Sequence, residues 1–104
     1  MKEYRLKITT RALTDMEQLY NYIAGHLNAP ETAAKQYDRI ADAIESLRVF
    51  PERIKLMDSK PEQALGMRRL LADNYSVIFV VGDEQVTVLR VLYSSSDIIS
   101  RLRE

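Results

Sequence analysis

The sequence predicts an α+β domain in which a helical hairpin packs on an antiparallel sheet, in the order β-α-α-β-β-β with a short C-terminal helix. Three observations carry this. Two segments, 10–27 and 30–47, place apolar residues at steps of three and four, the period of a helix with one buried stripe. Three consecutive runs between Met67 and Tyr93 are dense in Val, Ile, Leu, Phe and Tyr, which fit a pleated, half-buried surface. Short polar clusters separate those runs at hairpin spacing, so they read as a meander.

The elements follow in order. Glu3 to Thr9 alternates, with Tyr4, Leu6 and Ile8 on one side and Arg5 and Lys7 on the other, as a short strand near a sheet edge does. Thr14-Asp15-Met16-Glu17 fits a capping box, so the first helix begins there or one turn earlier at Thr10. Ala12, Met16, Leu19, Ile23 and Leu27 form its stripe. Asn28-Ala29-Pro30 breaks it, and Pro30 suits the first turn of the second helix, whose stripe is Ala33, Tyr37, Ile40, Ile44 and Leu47. Pro51 ends that helix, and 51–66 reads as a connector. Met67 to Leu71 is the first meander strand, ended by Ala72-Asp73-Asn74. Tyr75 to Val81 and Gln85 to Tyr93 flank Gly82-Asp83-Glu84, where Gly82 is expected to supply the positive φ of a tight hairpin. Alternation in the last strand puts Val86, Val88, Arg90 and Leu92 on one face, and Thr87, Leu89, Val91 and Tyr93 on the other. Both faces are apolar enough to be covered, which leaves Arg90 as the anomaly. Ser94-Ser95-Ser96-Asp97 offers capping side chains for a last helix carrying Ile98, Ile99 and Leu102.

Composition narrows the function classes. A chain of 104 residues, 46% apolar and 29% charged, has room for one domain, residues 1–104, with one core. There is no cysteine, hence no thiol nucleophile or thiolate metal site, and no metal-ligand spacing or cofactor motif. No stretch has the apolar length of a signal peptide core or a membrane span, so a cytoplasmic protein is expected. Fifteen Lys and Arg balance fifteen Asp and Glu, whereas neutralising many phosphates usually calls for a basic excess.

The element order, with LRVFP closing the second helix, MRRLLADNYSVIFVV opening the sheet and VTVLRVLYSSSDI closing it, resembles the RelE/ParE superfamily of toxins from type II toxin–antitoxin modules, the plasmid stabilisation family. The resemblance spans nearly the whole chain. Its most specific parts are Arg68, Tyr75 and the Arg90-Val91-Leu92-Tyr93 segment, where many relatives carry arginine-valine-leucine-histidine. It implies one of two mechanisms: RelE-type members cut mRNA in the ribosomal A site, and ParE-type members poison DNA gyrase by binding. It also implies a cognate antitoxin whose C-terminal segment wraps the toxin, in a hetero-oligomer.

RNA cleavage through the 2′-hydroxyl needs a base, an acid and cations around the charged transition state. Where those nucleases often carry arginine after Tyr75, this chain has Ser76, and Ser94, Ser95 and Ser96 fill the exit segment where a basic residue is frequent. The catalytic candidates for a ribonuclease are therefore Arg68, Arg90 and Tyr93. Arg69, Tyr75, Asp97, Ile98 and Leu102 are the candidates for target or antitoxin binding. Arg90, amid apolar neighbours, is expected to form an internal salt bridge with Asp97 or Asp73, because an unpaired buried guanidinium is costly. Tyr93 and Tyr75 are expected to pack, and His26 to complement the C-terminal dipole of the first helix. The missing cations and balanced charge favour the gyrase-binding mechanism. The alternatives are the ribosome-dependent endoribonuclease and a decayed, non-toxic module that only binds antitoxin.

Overall fold

The computed structural model describes all 104 residues, Met1–Glu104. The chain forms β1 (Arg5–Ile8), α1 (Thr10–Asn21), α2 (Pro30–Glu45), α3 (Lys60–Ala64), β2 (Arg68–Ala72), β3 (Tyr75–Val81), β4 (Gln85–Tyr93) and α4 (Ile98–Leu102). Thr9 makes the first corner with three bonds. Its N–H donates to Val88 O (3.0 Å), its Oγ1 donates to Leu89 O (2.9 Å) and accepts from Ala12 N (3.1 Å). One residue thus ends β1, caps α1 and ties both to β4, so α1 starts at Thr10 and the Thr14 box does not cap it. A π-helical turn, Tyr22–His26, extends α1, and Asn28, at φ 54°, reverses the chain into α2.

The sheet has the order β1-β4-β3-β2. β2, β3 and β4 are the expected antiparallel meander, with Asp73 at φ 55° in the first turn. The sheet as a whole is mixed, however, because β1 pairs with β4 in parallel, from Arg5 opposite Gln85 to Ile8 opposite Val88. No hairpin joins β1 to its neighbour. The crossover through two helices and the connector sets its direction, and a four-residue strand carries no residue signal of that.

Two layers cover the sheet. Against one face, Ala12, Met16, Leu19 and Ile23 of the first helical segment and Ala33, Ile40, Ile44 and Leu47 of the second pack on Val77, Phe79, Val86, Val88 and Val91. The other face carries a smaller cluster, Met57, Ile78, Leu92 and Ile98, with Met67, Leu89, Ile99 and Leu102 at its margin. Strict alternation along β4 fails here. Ile78 pairs with Arg90 and Phe79 with Val88, leaving Leu89 as the extra residue of a bulge. Beyond it the phase flips, so Val91 joins Val86 and Val88 in the main core, while Leu89 and Leu92 serve the second cluster.

Two further expectations are corrected. The 51–66 connector contains α3, opened by Pro61 in its first turn and ended at Gly66, φ 78°. Gly82 does not take a positive φ; its N–H donates to Gln85 O (2.8 Å), and an added Cβ would lie 3.3 Å from that oxygen. The close approach of backbone is what calls for glycine there.

Candidate interaction site and the fate of the arginines

Arg90 has an acid partner, but neither of those expected. Asp15 of α1 accepts from Arg90 Nε (2.8 Å) and Nη2 (3.0 Å), and the two side chains are 6% and 8% exposed. The same carboxylate accepts from Val91 N (2.9 Å), where β1 has ended and β4 would otherwise expose its edge. Arg90 Nη1 donates to Arg101 O (3.3 Å), which brings α4 into the cluster. The Asp15 hydrogen bonds raise the Arg90 pKa above its ordinary value. Asp73 is occupied elsewhere, by Arg39 (2.6 Å) and Gln36 (3.0 Å) of α2, and Asp97 caps α4 by accepting from Ser100 N (3.1 Å). A signal for Asp15 exists in the sequence. It lies inside the apolar arc of α1 between Ala12 and Leu19, the one charge on that stripe, as Arg90 is the one charge on an apolar strand.

The other candidates are placed as follows. Arg68 Nη1 donates to Ile54 O (2.5 Å) and Glu52 O (3.4 Å), which ties the connector to β2. Arg69 Nε donates to Ser76 Oγ (2.8 Å), which in turn shares a hydrogen bond with Ser94 Oγ (2.8 Å). Of the four serines singled out in the sequence, Ser76 and Ser94 therefore bond to each other, while Ser96 Oγ donates to Tyr93 O. Tyr93 is 49% exposed and meets Tyr75 edge to face, centroids 5.6 Å apart. Burial, followed by Tyr93 and Tyr22, pushes the Tyr75 phenol up, so it stays protonated at neutral pH. Ile98 is buried in the second cluster, with Leu102 beside it. His26 lies in the π-helical turn and stacks on Tyr22, centroids 5.0 Å apart. No hydrogen bond joins any two of Arg68, Arg90 and Tyr93. No three His, Cys, Asp or Glu side chains converge to hold a metal.

Sequence reasoning missed a groove of about 650 Å³ between the helical hairpin and the sheet end where β3 starts and β4 finishes. Leu19, Ile23 and Val91 line it with Tyr22, Leu27, Tyr75 and Tyr93, and Gln18, Thr32, Gln36, Asn74 and Arg101 supply polar groups. Tyr22, Leu27 and Tyr93 stay about half exposed, an apolar rim around an open groove. The sequence pattern places Leu27 on the helix stripe, but the π-helical turn before it rotates it out of the core.

A second clamp holds α4. Arg103 Nε and Nη2 donate to Glu62 Oε2 and Oε1, both at 3.0 Å, and the Glu62 side chain is 3% exposed. The Arg103 hydrogen bonds hold the Glu62 carboxyl at about 2, well below its ordinary 4.5.

Comparison with known proteins adds family and fold. A family model described as the ParE toxin of the type II toxin–antitoxin system parDE matches residues 6–98. Among solved structures, the chain is similar to a chain of the chromosomal ParDE system from P. aeruginosa, at 24% identity and TM-score 0.73, covering 88% of this chain and 96% of that one. It is similar to a chain of a RelBE toxin–antitoxin complex from Mycobacterium tuberculosis, at 21% identity and TM-score 0.60, covering 88% and 98%. A chain of the archaeal RelE–RelB complex from Pyrococcus horikoshii OT3 is similar at 18% identity and TM-score 0.60, covering 89% and 97%. No curated protein gives a match. No helix is long and apolar enough to cross a membrane.

Proposed function

The chain belongs to the ParE toxin family of type II toxin–antitoxin systems, and from that premise we propose that this ParE-like toxin inhibits DNA gyrase by binding it and cleaves no bond itself. The observation that carries the reading is the commitment of the arginines. Arg90 is bound to Asp15, Arg68 to two backbone carbonyls, and Arg69 through Nε to Ser76. A ribonuclease needs mobile or solvent-facing cations converging with a proton donor on one phosphate. Here Arg68, Arg90 and Tyr93 each serve a different contact. Toxicity then rests on surface, in particular on the helical hairpin and the C-terminal segment.

The cognate antitoxin is the second proposed partner. The groove under Tyr22, Leu27, Tyr75 and Tyr93 supports it, because an amphipathic segment laid there would cover an exposed aromatic rim and meet Gln18, Gln36 and Arg101. The test of the gyrase reading is a supercoiling assay with purified gyrase and the toxin in excess. Supercoiling is expected to be lost, and to return when the antitoxin encoded beside the toxin is added. Undiminished supercoiling with toxin in excess overturns the proposal.

A further inference from the structure

Where the start of α1, Arg90 of β4 and the end of α4 meet lies a cavity of about 490 Å³ whose eight lining residues are all polar or charged. Its cations are Arg11, Arg90 and Arg101, and its anions are Asp15 and Glu104. The two anions are held very differently. Asp15 is buried and committed to Arg90 and to Val91 N. Glu104 is about half exposed, and its Oε1 lies 3.5 Å from Arg11 Nη2 and 3.9 Å from Arg101 Nε. Long contacts between exposed side chains contribute little, so Glu104 gives way readily to a better anion.

With Glu104 swung aside, the cavity holds three cations against one carboxylate, an excess of two positive charges. Arg90 gives it a fixed floor. Its Nε and Nη2 donate to Asp15 and its Nη1 to Arg101 O, and each Nη carries a second hydrogen. Arg11 and Arg101 are the movable walls, 58% and 40% exposed. Thr10, Thr14 and Gln18 add two hydroxyls and an amide from successive turns of α1. A preset guanidinium, two adjustable ones and hydroxyl donors make a combination that suits an oxyanion.

We propose that this cavity binds a dianionic phosphate group, carried by a phosphate monoester or as free phosphate, and that the Glu104 carboxylate is the chain's own stand-in for it, displaced on binding. The excess of two positive charges matches a dianion better than the single charge of a phosphodiester. A formal net charge of zero is no obstacle, because one phosphate is neutralised locally rather than along a polyanion. Neither Arg68 nor Tyr93 lines the cavity, so it is separate from the set of residues that a ribonuclease would use. Asp15, Gln18 and Arg101 also line the aromatic groove, which puts Tyr22 and Tyr93 on the far side of the same wall.

The test is an NMR titration of isotope-labelled protein with sodium phosphate at about pH 7.5, where phosphate is mostly dianionic, run against sodium chloride of equal ionic strength. The Nε resonances of Arg90 and Arg101 are expected to shift with phosphate and not with chloride, with half-saturation on the order of 1 mM. Arg11→Gln and Arg101→Gln should each weaken binding about tenfold. Glu104→Gln, which removes the stand-in, should tighten it about threefold, a change opposite in direction to any loss of folding. Adenosine 5′-monophosphate separates the two sources. Binding no tighter than that of free phosphate assigns the site to free phosphate, and tighter binding that also moves Tyr22 and Tyr93 resonances assigns it to a monoester. No shift beyond that given by chloride, up to about 10 mM phosphate, overturns the proposal. Unchanged affinity in Glu104→Gln overturns the stand-in role, and tighter binding of a dinucleoside phosphodiester than of either probe overturns the dianion. Neither gyrase nor antitoxin takes part in this titration, so its failure and a failed supercoiling assay are separate results.

Discussion

Asp15 and Arg90 illustrate how a polar pair can occupy a core that otherwise admits only hydrocarbon. Each ion alone would be costly to bury, but Asp15 accepts three hydrogen bonds and Arg90 donates to two acceptors, so most of their polar capacity is met. Removing one partner strands the other. Asp15→Ala is expected to destabilise the fold by about 3–5 kcal/mol, enough to lower Tm by tens of degrees in a domain of this size. Asp15→Asn, which still accepts from Val91 N, should cost less; urea denaturation of the two variants gives the ranking, and equal, negligible losses would show the pair to be idle. The same pairing bears on any Arg90→Ala experiment. Loss of toxicity in that variant identifies a functional group only if folding is shown to survive. Arg90 was legible in the sequence as an anomaly needing an acid. Asp97 and Asp73 were the expected acids, yet each is held by another donor, Ser100 N or Arg39.

α4 is five residues long, too short to hold itself together. Its stability comes from outside: Asp97 caps it, Ile98 is buried beneath it, Arg90 takes Arg101 O, and Glu62 holds Arg103. The last of these is pH-dependent. The Glu62 carboxyl titrates at about 2 in the folded chain against an ordinary 4.5, so the unfolded chain binds the proton more readily. The stabilisation is therefore complete above the ordinary carboxyl range and is lost as pH falls from about 4.5 towards 2. Glu62→Gln should lower stability at neutral pH and flatten this acid limb, measured by denaturant unfolding at pH 6 and pH 3. An unchanged limb would assign it to other carboxylates. The helix was legible from its capping serines and Asp97, and from Ile98 and Ile99. Its clamp was not, because α3, which supplies Glu62, is one turn of helix between a proline and a glycine and shows no periodicity of its own.

For the molecule as a whole, family membership and the placement of the arginines lead to one early event in the cell. Inducing the protein without antitoxin and following labelled thymidine and labelled methionine over the first minutes should show DNA synthesis failing first. If protein synthesis fails first, mRNA cleavage is the activity, and Arg68, Arg90 and Tyr93 become its residues. Continued growth with neither affected would mark a decayed module. The same division runs through the structure. Period and punctuation are local properties, so the sequence by itself determined the helical hairpin, the meander, the last helix, the outlying charge of Arg90 and, through its end motifs, the superfamily. Only the tertiary structure decided that β1 lies parallel to β4, that a bulge at Leu89 shifts Val91 into the main core, and that Asp15 meets Arg90 across 75 positions of chain. The open groove and the polar cavity at Arg90 belong to the same class. They arise from how elements are stacked and where a neighbouring strand stops, and no spacing within one segment encodes that.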